Sequence, residues 1–131
     1  MPYDVMRMKK ALGISSEEFL LKYTLPRKGQ KGLPLVLLKM RDNEEKSCPF
    51  VTPEGCIIYS DRPWPCRAYP IEQTPDEGKY RLIKFEFCRG FDEPKEWTIE
   101  EWKEDQGLNP YLAMEKAYRA VTESKGWERI S

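Results

Sequence analysis

The sequence predicts an α+β fold: a small antiparallel sheet with N- and C-terminal helices around a loop-rich middle that holds all of the cysteines. Three observations lead to this prediction. Apolar residues recur at helical spacing near both ends, short apolar or alternating segments lie between them, and glycine and proline interrupt the middle. With 131 residues, the chain is predicted to form a single domain, made of N-terminal helices and a strand (1–47), a cysteine segment (48–90) and C-terminal helices (91–131).

The N-terminal part predicts two helices and a strand. Asp4 is predicted to cap a first helix that starts at Val5 and ends before Gly13. Ser15 begins a capping box that opens a second helix, and Pro26 stops it. Two further segments follow: a polar turn, RKGQKG at 27–32, and an apolar strand, LPLVLLKM at 33–40.

The cysteine segment is predicted to contain little regular structure. A short strand, CIIY, precedes a helical turn through RPWPCRAY that Ser60 or Asp61 caps, and TPDEGK is predicted to form a hairpin-like turn. From Tyr80 to Cys88 the residues alternate, which predicts a strand with one face inward. The inward residues of that strand are Ile83, Phe85 and Phe87.

The C-terminal part predicts two more helices. Thr98 caps the first, which ends near Gly107, and Asn109-Pro110 begins the second. An apolar stripe at helical spacing along the second helix is predicted to face the core. The stripe consists of Tyr111, Met114, Tyr118 and Val121.

The overall charge and hydropathy disfavour several kinds of partner. Twenty-two basic and twenty-two acidic residues cancel, so no global field directs the chain to nucleic acid or to an anionic membrane. The longest apolar run, residues 33–40, is too short to cross a bilayer, and the N-terminal residues do not form a signal peptide. The chain is therefore predicted to be cytoplasmic, with no nucleic-acid or membrane partner.

The chain contains no histidine. Ser-His-Asp and Cys-His catalysis, histidine-containing zinc sites and Rieske centres are therefore excluded without a partner chain. The sequence also contains no nucleotide-binding loop and no glycine-rich cofactor fingerprint. Whether the protein is an enzyme is left open, and any metal that it binds alone must use Cys, Asp, Glu or backbone oxygen.

The four cysteines, Cys48, Cys56, Cys66 and Cys88, follow the spacing C-x7-C-x9-C-x21-C. Buried thiols, disulfide partners and metal ligands are the open interpretations. Each cysteine lies beside turn residues or at the end of an element, where a bending backbone lets thiolates converge. In a reducing cytosol, this grouping favours metal or redox chemistry over structural disulfides. The spacing contains no pair of CxxC knuckles and does not identify the metal.

Arginines flank the cysteines in the sequence. Arg62, Arg67 and Arg89 are close to them, and positive charge lowers the pKa of a thiol and offsets the charge of a thiolate cluster. Arg62, Arg67 and the aromatic Tyr59 are therefore candidates for residues that surround the ligands and tune a metal centre. For Arg67, an ion pair with no role at a metal is the alternative.

The central motif resembles a known family. C-P-F…G-C-x-I-Y-x-x-R-P-x-x-C-R-x-Y-P, from Cys48 to Pro70, is similar to the core of the YkgJ-type, or CxxCxxCC-type, cysteine-cluster family, described as zinc- or iron-chelating and often as iron–sulfur proteins. PYDVMRMKKALGISSEEFLLKYT resembles the helical segment before this core, and Cys88 with Arg89-Gly90 fits a later cysteine. The tight cysteine group that family members usually carry upstream of the PYDV-like segment does not occur in this sequence.

The resemblance implies a shared metal site with Cys48, Cys56, Cys66 and Cys88 as ligands. An iron–sulfur cluster would serve electron transfer, redox sensing or maturation of a partner protein, and a structural Zn²⁺ would serve a protein–protein interaction domain. Irregular ligand segments and nearby aromatic residues favour the cluster. Because a flagellin lysine N-methylase carries a related cysteine domain, a component of a protein-modifying enzyme is a further hypothesis.

Overall fold

The computed structural model describes residues 1–29, 32–124 and 126, and it confirms the predicted α+β class. In these residues, five α-helices accompany three antiparallel sheets of two strands each. The chain divides into two compact units, Met1–Pro63 and Trp64–Ser131. That the whole chain forms one domain stays a prediction. None of the described helices is both long enough and apolar enough to span a bilayer.

Helix α1 (Pro2–Leu12) begins three residues earlier than predicted. Pro2 suits the start of a helix because its missing N–H would have no partner there and its φ is already helical. The predicted cap at Asp4 is therefore wrong, and Asp4 lies in the first turn, where it is buried. Gly13 ends the helix as predicted, in the left-handed conformation with a φ of 67°.

Helix α2 (Ser16–Tyr23) begins after the predicted cap. The Ser15 hydroxyl accepts a hydrogen bond of 3.0 Å from the Glu18 amide, which satisfies one of the donors that the first turn of a helix leaves open. The helix ends before Pro26, and the chain continues directly into a strand.

That strand, β1 (Thr24–Lys28), pairs in antiparallel fashion with β2 (Pro34–Leu38). β2 is the strand predicted from the apolar run. β1 is a strand that the sequence does not predict, because Pro26 and two cations are unusual in strands. Of the predicted polar turn at 27–32, the first two residues belong to β1, and residues 30 and 31 lie outside the described residues.

The core of the first unit combines side chains of both helices with a short hairpin formed by β3 (Val51–Thr52) and β4 (Gly55–Cys56). Aromatic rings fill it. The ring centroid of Phe50 lies 6.4 Å from that of Phe19 and 5.0 Å from that of Tyr23. The buried members of this core are Met8, Phe19, Phe50 and Ile58.

The described part of the second unit contains two strands and three α-helices. Its elements are α3 (Trp64–Ala68), β5 (Ile71–Gln73), β6 (Tyr80–Leu82), α4 (Ile99–Asp105) and α5 (Asn109–Thr122). The TPDEGK turn joins β5 to β6 as predicted. The Trp102 indole donates a hydrogen bond of 3.1 Å to the Ala68 carbonyl and thereby ties α4 to α3. The core consists of Ala68, Ile71 and Leu108, surrounded by Trp64, Tyr80 and Trp102.

The strand predicted for residues 80–88 extends only to the end of β6, and its predicted inward face is wrong. Phe85 is 47% exposed and Phe87 is 81% exposed, while Ile83 is half-buried. Pairing stops because β5 is short and begins directly after Pro70, which has no N–H to continue the ladder. The last backbone hydrogen bond between the two segments runs 2.7 Å from the Ile83 amide to the Pro70 carbonyl.

The apolar stripe predicted on α5 is buried only at its first residue. Tyr111 is fully buried and Tyr118 is half-buried, whereas Met114 and Val121 are 45% and 58% exposed. The prediction that the stripe faces the core is therefore wrong for Met114 and Val121. The core of this unit lies around Leu108, at the N-terminal end of α5, so the later turns extend away from it.

The capping box predicted at the start of α4 is confirmed. The Thr98 hydroxyl accepts a hydrogen bond of 3.2 Å from the Glu101 amide, and the Glu101 carboxylate accepts one of 2.8 Å from the Thr98 amide. These hydrogen bonds lower the pKa of the Glu101 carboxyl. Both interactions are local in sequence, which is why the pattern alone predicts them.

Gly107, between α4 and α5, supports a stability prediction. Its φ is 63°, and a Cβ added there would lie 3.2 Å from Nη1 of Arg67. That guanidinium donates a hydrogen bond of 2.9 Å to the Gln106 carbonyl. We expect Gly107→Ala to lower the free energy of unfolding by more than the ~1–2 kcal/mol that left-handed backbone costs an alanine, because the guanidinium must also move.

The matched control for this prediction is Gly13→Ala. Gly13 has a φ of 67°, but no atom lies within 4 Å of the position that its Cβ would take. Urea denaturation measures the loss in free energy of unfolding of each variant. The difference between the two losses is the cost of the contact with Arg67, because both variants pay for the left-handed backbone. Equal losses of stability in the two variants would contradict the role given to Arg67.

Candidate metal centre

Two of the four cysteines attach to the same hairpin in the first unit. The Val51 amide donates a hydrogen bond of 3.2 Å to the Cys48 carbonyl, which forms a turn into β3. Cys56, on β4, is the cross-strand partner of Val51. The predicted strand CIIY is shorter than expected, since pairing ends at Cys56 and a 3-10 helix follows at Tyr59–Asp61. Both cysteines are half-buried and pack against the core that contains Phe50.

The other two cysteines lie in the second unit. Cys66 belongs to the short helix α3 and is exposed, whereas Cys88 is half-buried and directly precedes a 3-10 helix, Arg89–Asp92. No disulfide joins any of the four cysteines, all of which lie in the described part of the chain. The disulfide interpretation therefore has no support in this fold.

The Cys88 sulfur lies in a thiolate-stabilising environment. The largest factor that lowers the pKa of the Cys88 thiol is its interaction with the Tyr69 hydroxyl, and the backbone amides of Gly90 and Phe91 lower this pKa further. These contacts lower the pKa of the Cys88 thiol, and the nearby Asp92 carboxylate opposes them. Within the described residues the Tyr69 hydroxyl oxygen has no partner, sulfur included, at hydrogen-bond geometry, so its interaction with the Cys88 sulfur is weaker than a hydrogen bond.

Gly90 lies close to this sulfur. A Cβ at Gly90 would lie 3.6 Å from Sγ of Cys88, which is an ordinary van der Waals contact. The positive charge predicted near the sulfur is partly offset, because the exposed Arg89 forms an ion pair of 3.4 Å with Asp92. Backbone amides and the Tyr69 hydroxyl, rather than the arginine, therefore set the local electrostatics.

Aromatic rings form a ladder beside Cys88. The Tyr69 and Phe85 rings stack with centroids 5.6 Å apart, and the Phe85 and Phe87 rings stack at 5.3 Å. The Cys88 amide donates a hydrogen bond of 3.0 Å to the Phe85 carbonyl. Phe85 and Phe87 are 47% and 81% exposed, so the ladder leads from the half-buried Tyr69 to the surface.

The three residues predicted to surround the ligands make contacts of their own. In the first unit, the Arg62 guanidinium lies 4.2 Å from the Tyr59 ring centroid and donates a hydrogen bond of 2.9 Å to the Tyr59 carbonyl. In the second unit, Arg67 is buried with its guanidinium 5.1 Å from the Tyr111 ring centroid, and it also binds the Gln106 carbonyl. The tuning roles of Tyr59, Arg62 and Arg67 stay predictions.

The four proposed ligands divide between the two units, with Cys48 and Cys56 in the first and Cys66 and Cys88 in the second. Among residues 1–29, 32–124 and 126, no group of three or more cysteine or carboxylate side chains is close enough to hold a metal ion. The donor chemistry fits a thiophilic metal, because two cysteines share a hairpin and a third has a stabilised thiolate. Cys48 and Cys56 are therefore held by one hairpin, whereas Cys66 and Cys88 lie on separate segments.

Comparison with known proteins gives no relative for this chain. No protein-family model matches it, and it shows no significant similarity to a curated protein or to a solved structure. The resemblance to the YkgJ-type family therefore rests on the motif residues alone.

The influence of the Tyr69 hydroxyl on the Cys88 thiol is a feature of the candidate site that the sequence does not predict. Tyr69 belongs to the C-R-x-Y-P part of the motif, but nothing in the spacing indicates that it acts on Cys88. Gly90, two residues after Cys88, gives no signal either, because its φ is not in the left-handed region.

We expect Tyr69→Phe to raise the pKa of the Cys88 thiol, because the substitution removes the largest factor that lowers it. In the metal-free, reduced protein, the pH of half-maximal alkylation at Cys88, followed by mass spectrometry, should move upward. In the wild type, the contact contributes stability above the ordinary thiol pKa and loses it as pH falls through the lowered pKa. Tyr80→Phe is the control, and an equal shift in both variants would contradict the assignment.

Proposed function

We propose that this protein binds a metal centre through Cys48, Cys56, Cys66 and Cys88, and that the centre is an iron–sulfur cluster used in electron transfer, redox sensing or the maturation of a partner protein. The observation that supports this most is the environment of the half-buried Cys88, where the Tyr69 hydroxyl and two backbone amides lower the pKa of the thiol. Metals bind the thiolate and not the thiol, so a cysteine whose surroundings stabilise the thiolate is a better metal ligand.

Hydrogen bonds to sulfur also suit an iron–sulfur cluster in particular. Amides directed at ligand sulfurs, together with restricted solvent access, set the reduction potential of such clusters. Cys88 is half-buried, and the amides of Gly90 and Phe91 lower the pKa of its thiol, so its environment offers both features. Aromatic side chains beside an inert thiol would pack equally well, but they would not require the converging amides.

The proposed site would join segments that are far apart in the sequence, so metal binding would contribute to folding. A metal that draws together separately prepared thiolates converts binding free energy into folding free energy. The small cores make this contribution important, because the described residues include only eight buried hydrophobic side chains and small cores commonly need a metal or a disulfide. The same observation supports the second candidate, a structural Zn²⁺ in a domain that binds another protein. In either case we propose a cytoplasmic protein whose partner is a protein.

The experiment is anaerobic purification, followed by an absorption spectrum and elemental analysis of the same sample. Broad visible absorption, with iron and acid-labile sulfide, is the result expected for a cluster. A colourless protein with about one equivalent of zinc, as a closed four-cysteine site requires, would favour the structural zinc domain. A protein with neither metal, after purification without chelators, would overturn the proposal.

A further inference from the structure

The strongest feature outside the cysteine site is a local concentration of positive charge. From Phe19 to Arg41 the chain contains six basic residues and no acidic residue, which leaves sixteen basic against twenty-two acidic residues elsewhere. The net charge of zero therefore conceals a strong asymmetry. Five of the cations lie in described, exposed positions: Lys22, Arg27, Lys28, Lys39 and Arg41.

The β1–β2 hairpin within this basic segment also exposes an apolar face. Leu25 pairs with Leu37, and Arg27 pairs with Leu35, so these four side chains project from the same face of the sheet. Leu25, Leu35 and Leu37 are 38%, 45% and 46% exposed. The opposite face contains Leu38, which packs on the core of the first unit.

One edge of the hairpin is suited to accept another strand. Hydrogen bonds from the Gly29 amide to the Leu33 carbonyl and from the Lys39 amide to the Tyr23 carbonyl define the hydrogen-bonded pairs. Because these pairs alternate along the register, the N–H and C=O groups of Val36 and Leu38 point away from β1. No other described strand pairs with this edge.

The two edges of the hairpin differ. On β1 the outward-facing positions include Pro26, which has no N–H, and the strand ends in two cations. Proline and charge are the usual means by which an edge strand is protected from pairing. On β2 the only proline is the first residue, Pro34, and the rest of the strand, LVLL, carries neither feature.

We propose that the outer edge of β2 binds an acidic, extended segment of a partner protein as a third strand. Main-chain hydrogen bonds would bind the segment, the exposed leucines would contact its apolar side chains, and the surrounding cations would attract its carboxylates. The inference is independent of the metal centre.

Charge and hydrogen bonding favour this occupant over two others. A second copy paired through the same edge would bring two sets of the five described cations together, which is repulsive. An anionic lipid surface would suit the cations and leucines, but lipid cannot satisfy the N–H and C=O groups of an open edge.

The test uses isothermal titration calorimetry with a seven-residue, end-capped peptide in which glutamate and valine alternate. We expect this peptide to bind, its affinity to fall as salt rises, and its lysine–valine counterpart not to bind. Val36→Pro removes an outward N–H but no hydrogen bond to β1, so it should weaken binding at least tenfold. Val36→Thr keeps the N–H and is the matched control, with an expected change of less than about threefold.

Charge reversal keeps the test decisive if Val36→Pro does not fold. Arg27→Glu combined with Lys28→Glu changes two exposed side chains. This double variant should also lower the affinity for the acidic peptide at least tenfold. No binding of the acidic peptide, or equal binding of both peptides, would overturn the proposal. Binding to phosphatidylglycerol vesicles that persists in Val36→Pro would also overturn the proposal. Self-association of the peptide-free protein in sedimentation velocity would overturn it as well.

Discussion

Replacing Cys66 with serine is expected to lower both the metal content and the melting temperature of the protein. A serine hydroxyl does not ionise near neutral pH and is a poor ligand for thiophilic metals. Loss of a metal belongs to the small class of changes that destabilise by more than about 4 kcal/mol, which corresponds to roughly 10 °C or more in Tm for a chain of this size. Elemental analysis and thermal unfolding of the same anaerobic sample measure both effects.

The control is the same pair of proteins after metal removal under reducing conditions. Cys66 is exposed. Without metal, the free energies of unfolding of the wild type and Cys66→Ser should therefore differ by less than about 0.5 kcal/mol, as is usual for surface substitutions. Unchanged metal stoichiometry and melting in the variant would rule out the four-ligand site. An equal loss with and without metal would assign Cys66 a packing role instead.

Replacing Phe19 with alanine is expected to lower the free energy of unfolding by about 3–5 kcal/mol. Its side chain is fully buried, and its ring lies 5.6 Å from the Tyr23 ring and 6.4 Å from the Phe50 ring, measured between centroids. Truncation therefore leaves a cavity among rings that cannot easily collapse into it. This loss is a large fraction of the ~5–15 kcal/mol that stabilises a typical domain. Urea denaturation followed by far-UV circular dichroism measures the change.

Leu21→Ala is the matched control on the same helix. Leu21 is 78% exposed, so its truncation removes little buried area and should change stability by less than about 0.5 kcal/mol. Comparable losses in Phe19→Ala and Leu21→Ala would mean that α2 is stabilised by helix propensity rather than by its packing on Phe50.

The features that the sequence predicts correctly are local. The Ser15 and Thr98 caps, the glycine that ends α1, and the TPDEGK turn each depend on residues within a few positions of one another. The apolar composition of β2 likewise predicts a strand on its own. These elements are enough to predict the α+β class.

The features that the sequence does not predict depend on distant partners. β1 forms despite Pro26 because β2 offers a complete set of partners, so pairing overrides strand propensity. The inward face expected for Phe85 and Phe87 fails because the partner strand ends at Pro70, and periodicity carries no information about the length of a partner. The stripe on α5 fails for the same reason, since the extent of the core decides which turns are buried.

The same distinction between local and long-range features applies to the candidate site. The four cysteines and their turn-rich surroundings can be read from the sequence, and so can Gly90 beside Cys88. The approach of the Tyr69 hydroxyl to Cys88 cannot, because it depends on how the chain returns after the β5–β6 hairpin. The spacing also gives no indication that Cys48 and Cys56 attach to a single two-residue ladder.

The division into two units, each with its own core, has a consequence for optical experiments. All four tryptophans occur from residue 64 onward, and Trp64 and Trp102 pack around the core of the second unit. The first unit, Met1–Pro63, contains tyrosine and phenylalanine but no tryptophan. Intrinsic tryptophan fluorescence therefore reports unfolding of the second unit alone. The effect of Phe19→Ala must be followed by a signal that also reports on the first unit.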